Sequence, residues 1–195
     1  AVTGVEVRIS KEGELQVKSD GFSPGYYKQP EKTAETFVDG WVFTGDKAYI
    51  DDDGFIYLTG RVKDYFKTIQ GKFVAPPAIE AIFSDNQHTE QQCLLGRGYS
   101  KTVMVCVLSA IAQELAIEEV EADLLRVVAK VNDEVESHAR VGALVISREA
   151  WGIDNAMLTP TLKIRRDEVE KVFGERAQEL ARAGAEQGKV IVHWH

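Results

Sequence analysis

The stretch from Gly60 to Glu80 constrains the fold of this chain more than any other part of its sequence. Gly71 separates two short runs of alternating apolar and polar residues, which is the pattern of a hairpin with a glycine in its turn. Pro76 and Pro77 come next and suit the first turn of a helix, because the N–H groups there have no helical partner. The stretch therefore predicts a strand end, a charged crossing, a hairpin and a helix start.

Positive charge is concentrated around these predicted turns. Five cations lie in or near them: Arg61, Lys63, Lys67, Lys72 and, further along the chain, Lys163. The chain as a whole is acidic, with a formal net charge of -8. Cations gathered at turns in an acidic chain predict a site for an anionic ligand.

Three segments are similar to motifs of one family, the AMP-forming acyl-CoA synthetases of the adenylate-forming ligase superfamily. Gly60–Glu80 resembles the family's hinge-and-loop motif, and Gly40–Asp46 resembles its ribose-binding Thr-Gly-Asp segment. Leu158–Arg166 (Leu-Thr-Pro-Thr-Leu-Lys-Ile-Arg-Arg) resembles the catalytic-lysine segment of the long-chain fatty-acyl branch. Three motifs in the family's order are far more specific than any one of them. The resemblance covers the whole chain but only the last third or so of a complete enzyme, whose phosphate loop and acyl pocket lie further upstream.

The resemblance implies a fatty-acid–CoA ligase that works in two steps. A fatty-acid carboxylate attacks the α-phosphate of ATP and gives acyl-adenylate and pyrophosphate. The thiol of coenzyme A then displaces AMP and gives acyl-CoA. ATP, AMP, Mg²⁺ and coenzyme A are therefore expected ligands of the complete enzyme, whereas this chain alone is expected to be inactive and to bind none of them tightly.

Three residues match nucleotide-site positions of the family. Asp46 follows Thr44 and Gly45, whose small side chains would let a ligand come close. From the residues alone Asp46 is an ordinary turn aspartate, but by resemblance it accepts hydrogen bonds from the ribose hydroxyls. Arg61 resembles the arginine that reaches the ribose and phosphate of the adenylate. Lys163 resembles the catalytic lysine, and a point charge on a flexible stem suits stabilisation of the attacked phosphate.

The remaining site residues are those that the resemblance connects with a rotation of the C-terminal domain between the two steps. Lys63 occupies the family's hinge position, about which the C-terminal domain rotates. After rotation the hairpin around Gly71 would face the thiol route, where a residue without a side chain lets pantetheine approach. Lys72 is expected on the same coenzyme A side. The segment Gln70-Gly71-Lys72 makes this loop slightly longer than in shorter relatives, which leaves the placement of Lys67 and Lys72 open.

The predicted fold class is α+β, with the β-rich end of a large N-terminal domain at residues 1–61 and a small, mobile, mixed α/β C-terminal domain at residues 62–195. Hydrophobic periodicity supports these parts. The predicted strands are Val5–Ile9, Leu15–Val17, Trp41–Ile50, Phe55–Gly60, Gln92–Leu95, Thr102–Leu108, Val141–Ser147 and Val190–Val192. The predicted helices are Pro30–Phe37, Pro76–Phe83, Glu118–Ser137, Asp167–Phe173 and Glu175–Ala185, and Trp151–Thr161 is predicted to be a loop.

Composition excludes several partner classes. The negative net charge argues against nucleic acid or an anionic membrane as a main partner. No apolar run is long enough for a membrane span, so membrane contact is expected only through the acyl substrate. Cys93 and Cys106 stand alone in apolar runs, which predicts reduced core cysteines and a cytoplasmic protein. The start at Ala1, without methionine, suggests a chain cut from a longer protein, whose missing N-terminal part is then a partner.

No metal site is predicted. Asp51-Asp52-Asp53-Gly54 lacks the ligand spacing of a calcium-binding EF-hand loop and suits a hairpin turn. His193 and His195, on one side of a terminal strand, make a poor metal site. Gly96-Arg97-Gly98 lacks phosphate-loop spacing and predicts another turn.

Two rival functions stay open. One is an adenylation domain that serves a carrier protein or another carboxylic acid, whose lysine segment would more often have Asn-Gly-Lys than the Thr-Leu-Lys found at 161–163. The other is an interaction module without chemistry of its own.

Overall fold

A computed structural model describes residues 3–195 of the chain, which form two compact units, one ending at Tyr65 and the other beginning at Phe66. The predicted fold class is confirmed, because a β-rich part is followed by a mixed α/β part. The assignment of residues 1–61 and 62–195 to two domains of a larger enzyme stays a prediction.

The first unit is built on one antiparallel sheet. Its strands are β1 (Glu6–Ile9), β2 (Glu14–Lys18), β3 (Phe37–Val38), β4 (Trp41–Ile50) and β5 (Ile56–Arg61). The strand order is β1-β2-β4-β3, and β5 also pairs with β4. A short helix, α1 (Pro30–Thr36), precedes β3, and a 3-10 turn (Val62–Asp64) follows β5.

The acidic turn between β4 and β5 is closed by its first aspartate. The Asp51 carboxylate accepts hydrogen bonds from the backbone N–H groups of Asp53 (3.1 Å) and Phe55 (2.8 Å). Gly54 follows with φ +85°, a conformation that glycine adopts without steric cost. The cluster is therefore an ordinary hairpin turn, as its sequence predicted.

The second unit has helices on both faces of a four-stranded sheet. A small hairpin comes first, formed by β6 (Phe66–Lys67) and β7 (Phe73–Val74). The remaining elements are α2 (Pro76–Phe83), β8 (Thr89–Leu95), β9 (Thr102–Leu108), α3 (Ala110–Gln113), α4 (Ile117–Glu134), β10 (Val141–Ser147), α5 (Arg166–Gln187) and β11 (Ile191–Trp194). The sheet order is β11-β10-β9-β8, with β8 antiparallel to β9 and the other two pairs parallel.

The hydrophobic core of the second unit packs against both faces of this sheet. Alternate strand residues point to opposite faces, so the near-continuous apolar runs of β9 and β10 are buried on both sides. On one face Met104 and Leu144 pack with α2, α3 and α4. On the other face Val105 and Val145 pack with α5 and the loop around Trp151.

Three predicted helices were wrong in their bounds. The pair predicted at 167–173 and 175–185 is one continuous helix, α5, because Gly174 lies inside it and its carbonyl accepts a hydrogen bond from the Tyr99 hydroxyl. Packing therefore outweighs the low helix propensity of glycine. Helix α4 ends at Glu134 rather than near Ser137, since Val135 is already extended.

In the part of the chain that the structure describes, no helix is both long and apolar enough to cross a membrane.

Candidate nucleotide and acyl-transfer site

Asp46 and Arg61 are brought together on the β4–β5 hairpin. They are cross-strand partners, and one guanidinium nitrogen of Arg61 lies 3.0 Å from a carboxylate oxygen of Asp46. The same nitrogen donates a 3.3 Å hydrogen bond to the carbonyl of Thr44. The Arg61 side chain is 60% exposed and the Asp46 side chain 29% exposed, so both remain accessible to a ligand.

The backbone around Asp46 is held by a network within the first unit. The Thr44 hydroxyl donates to the Leu15 carbonyl (2.8 Å) and accepts from the Asp46 N–H (3.1 Å). The N–H of Gly45 donates to the carboxylate of Glu14 at 2.8 Å. Gly45 has φ +73°, which side-chain-bearing residues rarely adopt. The Thr-Gly-Asp sequence thus fixes where the carboxylate emerges.

This ion pair contributes little to folding. An exposed pair of this kind stabilises a protein by only about 0–1 kcal/mol. The carboxylate keeps a second oxygen for hydrogen bonds from a diol, and a guanidinium carries more N–H donors than the two contacts at Asp46 and Thr44 use. Chemically, the arrangement offers acceptors for sugar hydroxyls beside a cation for a phosphate.

Lys63 lies in the 3-10 turn that follows β5. The residues that flank this turn, Arg61 and Tyr65, are extended, and Lys63 is exposed. The Tyr65 hydroxyl donates to the Thr59 carbonyl at 3.2 Å, and the Lys47 ammonium lies 4.6 Å from the centre of the Tyr65 ring. A single short turn with extended flanks is a connection that needs few torsion changes to redirect the chain.

Gly71 and Lys72 are exposed at the tip of the β6–β7 hairpin. The turn is closed by hydrogen bonds from the Thr68 N–H to the Lys72 carbonyl and from the Gly71 N–H to the Thr68 carbonyl, each 2.9 Å. Gly71 has φ +75°, and apart from Gly71 and its two chain neighbours no described heavy atom lies within 4 Å of the place where its Cβ would be. The hairpin turn at Gly71 is therefore as the sequence predicted, and the backbone at its tip is open.

Lys163 is exposed at a second tight turn. Its N–H donates to the Thr159 hydroxyl (3.0 Å), and its carbonyl accepts from the Thr159 N–H (2.8 Å). The preceding residue, Leu162, has φ +59° and is 69% exposed. Among the described residues no acidic side chain forms an ion pair with Lys163, so its charge is available to a ligand.

The predicted site residues thus fall into three groups. Asp46 and Arg61 form one pair in the first unit, whereas Gly71 with Lys72 and Lys163 occupy two separate turns of the second. Among residues 3–195, no group of three or more His, Cys, Asp or Glu side chains is arranged to hold a metal ion. His193, whose pKa is lowered by burial and by nearby Arg176 and His195, belongs to no such group.

A part-buried ion pair next to the Lys163 turn was not predicted from the sequence. Arg166 begins α5, and one of its guanidinium nitrogens lies 2.8 Å and 3.1 Å from the two carboxylate oxygens of Glu80 on α2. The other terminal guanidinium nitrogen donates to the Leu94 carbonyl at 2.6 Å. In the sequence, Glu80 is only a glutamate beside the apolar face of a short helix. Nothing in the sequence identifies its partner.

Comparison with known proteins agrees with the motifs. Residues 63–183 match the family model described as AMP-binding enzyme C-terminal domain. Fatty acyl-CoA synthetase B of Dictyostelium discoideum is 30% identical over 86% of this chain and 28% of its own length. Carboxylic acid reductase of Mycobacterium marinum is 34% identical over 86% of this chain and 15% of its own length. The chain therefore spans less than a third of the length of these relatives.

A solved structure shows the same architecture. The A-PCP didomain of carboxylic acid reductase from Segniliparus rugosus, in complex with AMP, superposes with a TM-score of 0.80 at 28% identity, over 95% of this chain and 28% of that one. The similarity to adenylate-forming ligases expected from the sequence is thereby confirmed. Since the family model matches well over half of its residues, this chain belongs to the AMP-binding enzyme C-terminal domain family.

Proposed function

We propose that this chain is the C-terminal part of an ATP-dependent fatty-acid–CoA ligase that forms an acyl-adenylate and then an acyl-CoA thioester. The observation that supports the proposal best is the Asp46–Arg61 pair, because the two residues that we assign to the nucleotide lie 3.0 Å apart on the β4–β5 hairpin. The fatty acyl-CoA synthetase among the relatives and the long-chain form of the Leu158–Arg166 motif support a long-chain acid as the substrate.

In this proposal Asp46 and Arg61 bind the nucleotide. The Asp46 carboxylate accepts hydrogen bonds from the ribose hydroxyls of ATP and of the adenylate, while Arg61 donates to ribose and phosphate oxygens. The network of Thr44 and Gly45 fixes the carboxylate before the nucleotide arrives, which lowers the ordering cost of binding. The AMP complex of the structurally similar didomain supports a nucleotide as the ligand.

Lys163 acts in the first step. Attack of the carboxylate on the α-phosphate builds negative charge on the equatorial oxygens, which a preorganised cation stabilises. The exposed Lys163 side chain at the tip of a hydrogen-bonded turn suits this role. Mg²⁺ is assigned to the phosphates of ATP, with which it would enter the site.

Rotation about the Lys63 turn connects the two steps. A lysine that contacts the α-phosphate would obstruct the approach of the thiol, so Lys163 must leave before coenzyme A reacts. We assign the hinge to Val62–Asp64, and the coenzyme A side to the hairpin tip with Gly71 and Lys72. The open backbone at Gly71 gives pantetheine room to pass.

The proposed partners are small molecules and the rest of the protein. Fatty acid, ATP and coenzyme A are the substrates, and the missing N-terminal part supplies the phosphate loop and the acyl pocket. We assign the protein to the cytoplasm because Cys93 and Cys106 are free thiols buried in the core. No nucleic-acid partner is proposed, and membrane contact is assigned only to the acyl substrate.

A second candidate function is favoured by the carboxylic acid reductases. Their adenylation parts match this chain in sequence and in structure, and one solved example carries a PCP domain. In that function the first step is the same, but the acyl group passes to a carrier domain instead of free coenzyme A. The same Asp46, Arg61 and Lys163 would serve it.

Product analysis of the complete protein tests the proposal. The protein is incubated with ATP, Mg²⁺, a long-chain fatty acid and coenzyme A, and the products are identified by mass spectrometry. Acyl-CoA and AMP in equal amounts are expected. Adenylate formation without a coenzyme A thioester would favour the carrier-dependent function, and absence of AMP would exclude both.

A further inference from the structure

The Arg166 guanidinium joins three elements of the second unit. One nitrogen contacts both carboxylate oxygens of Glu80 on α2, at 2.8 Å and 3.1 Å. The other terminal nitrogen donates to the Leu94 carbonyl on β8 at 2.6 Å and lies 3.1 Å from the Cys93 sulfur. The Leu94 N–H donates in turn to Glu80 at 2.7 Å. The first residue of α5 is thus held in place by α2 and β8.

This ion pair differs from the other ion pairs of α5. The side chains of Arg166 and Glu80 are only 17% and 18% exposed, whereas those of Arg176 and Glu179 are 50% and 58% exposed. A largely buried, charge-assisted pair fixes geometry, because each partner would leave an uncompensated charge if it moved away. The exposed pair has no such constraint.

The Lys163 turn is connected rigidly to Arg166. Between them the Arg165 N–H donates to the Met157 carbonyl at 2.8 Å, and Leu158 and Ile164 form an antiparallel bridge. Together with the two Thr159–Lys163 hydrogen bonds, these contacts make residues 157–165 a small closed hairpin. A displacement of Arg166 would therefore displace Lys163.

We propose that Glu80 and Arg166 are positioning residues that set the place of Lys163 for adenylate formation. The inference deepens the proposed function and rests on it. A lysine side chain is long and flexible, so its effect on a transition state depends on how firmly its backbone is placed. Glu80 lies on the helix that directly follows the Gly71 hairpin. The pair therefore also connects the Lys163 turn, assigned to adenylate formation, with the hairpin assigned to the coenzyme A step.

The kinetic test uses the complete enzyme and the Arg166→Lys variant. Lysine keeps the positive charge but cannot contact Glu80 and the Leu94 carbonyl with two separate nitrogens. Adenylate formation, followed by pyrophosphate release, should slow by about tenfold or more, with little change in the KM for ATP. Thioester formation from supplied acyl-adenylate should stay within about twofold of wild type. Arg176→Lys, on the exposed pair of the same helix, is the matched control and should change neither step.

A double variant shows whether the effect acts through Lys163. In a Lys163→Ala background, Arg166→Lys should have no further effect on adenylate formation, because the group that it positions is gone. Equal loss in both backgrounds, or equal loss in both half-reactions, would mean a general structural role and overturn the inference. If Arg166→Lys does not fold, Glu80→Gln carries the same test.

Hydrogen exchange on the chain of 195 residues provides a readout that does not depend on activity. The amides of Leu162, Lys163 and Arg165 should exchange faster in Arg166→Lys than in wild type or Arg176→Lys. If exchange is unchanged and Arg166→Lys keeps full adenylation activity, the inference is overturned. The proposed function would still stand in that case, provided that Lys163→Ala abolishes adenylation. If Lys163→Ala itself left adenylation intact, the proposed function would fail and the inference with it.

Discussion

The side chain of Asn132 makes two hydrogen bonds with the backbone of Val141. Its amide nitrogen donates to the Val141 carbonyl at 2.9 Å, and its oxygen accepts from the Val141 N–H at 2.7 Å. The last part of α4 is thereby joined to the first residue of β10. Because the contact satisfies a donor and an acceptor at once, it sets the register of helix on sheet at this point.

Asn132→Ala should therefore destabilise the chain. Both backbone groups of Val141 lose their partner, which costs about 2–3 kcal/mol in the free energy of unfolding. Urea denaturation measures this cost. Lys130→Ala, at an exposed position on the same helix with a 3.7 Å ion pair, is the control and should change the free energy by no more than about 0.5 kcal/mol. A similar loss in both variants would contradict the assignment.

The stability of the chain should fall at high pH because of Tyr99. Burial, with a smaller contribution from Glu170, raises the pKa of Tyr99 from 10.0 to about 12. The unfolded chain then loses this proton at lower pH than the folded chain, so stability decreases as pH rises from 10.0 towards 12. Tyr99→Phe should remove this part of the pH dependence in urea titrations.

Tyr27→Phe is the control for the alkaline experiment. Its side chain is 83% exposed, so the substitution removes no buried hydroxyl and should leave the decrease in place. Tyr99→Phe should also lower stability at neutral pH, by about 1 kcal/mol, because the hydrogen bond to the Gly174 carbonyl is lost. An unchanged alkaline slope in Tyr99→Phe would show that another group causes it.

Gly184→Ala should destabilise α5 even though alanine is the better helix former. A Cβ at this position would lie 2.2 Å from the carbonyl oxygen of Gly142 on β10, so helix and sheet would have to move apart. The expected loss of at least about 2 kcal/mol exceeds the gain of about 1 kcal/mol from helix propensity. Ala185→Ser at the neighbouring exposed position is the control. Thermal melts that show Gly184→Ala to be as stable as wild type would contradict this close approach.

Local sequence patterns predicted most elements well, for physical reasons. The hairpin at Gly71 and the helix beginning at Pro76 depend on residues within a few positions of each other. The continuity of α5 depends on Tyr99, which lies 75 residues from Gly174 in the sequence. The order of the second sheet likewise follows from long-range packing that a single sequence does not display.

For the candidate site, too, local motifs were predictable from the sequence and long-range contacts were not. Motifs predicted Asp46, Arg61 and Lys163 as site residues, and the structure adds that Asp46 and Arg61 are cross-strand partners. The contact between Glu80 and Arg166 spans 86 residues and has no periodic signal, so sequence reasoning could not pair them.

Limited trypsin digestion tests the hinge assignment on this chain. The side chains of Arg61 and Lys63 are exposed, and these residues flank or occupy the 3-10 turn, whereas Arg126 and Lys130 lie within helix α4. Because a protease needs locally opened backbone, cleavage after Arg61 or Lys63 should precede cleavage within α4. Mass spectrometry of the early fragments identifies the order. Simultaneous cleavage at both places would count against a hinge at this turn.

The two half-reactions of the complete enzyme test the central claim most directly. Pyrophosphate release reports adenylate formation, and acyl-CoA formation from synthetic adenylate reports the second step. Lys163→Ala should slow adenylate formation by about 100-fold or more, near 3 kcal/mol, and spare the second step. Gly71→Leu should spare adenylate formation and slow the second step, while Lys171→Ala on the exposed face of α5 should alter neither. If Lys163→Ala and Gly71→Leu each damaged both steps equally, Lys163 would be a structural lysine. The proposal that the C-terminal domain uses a different turn for each step would then be wrong.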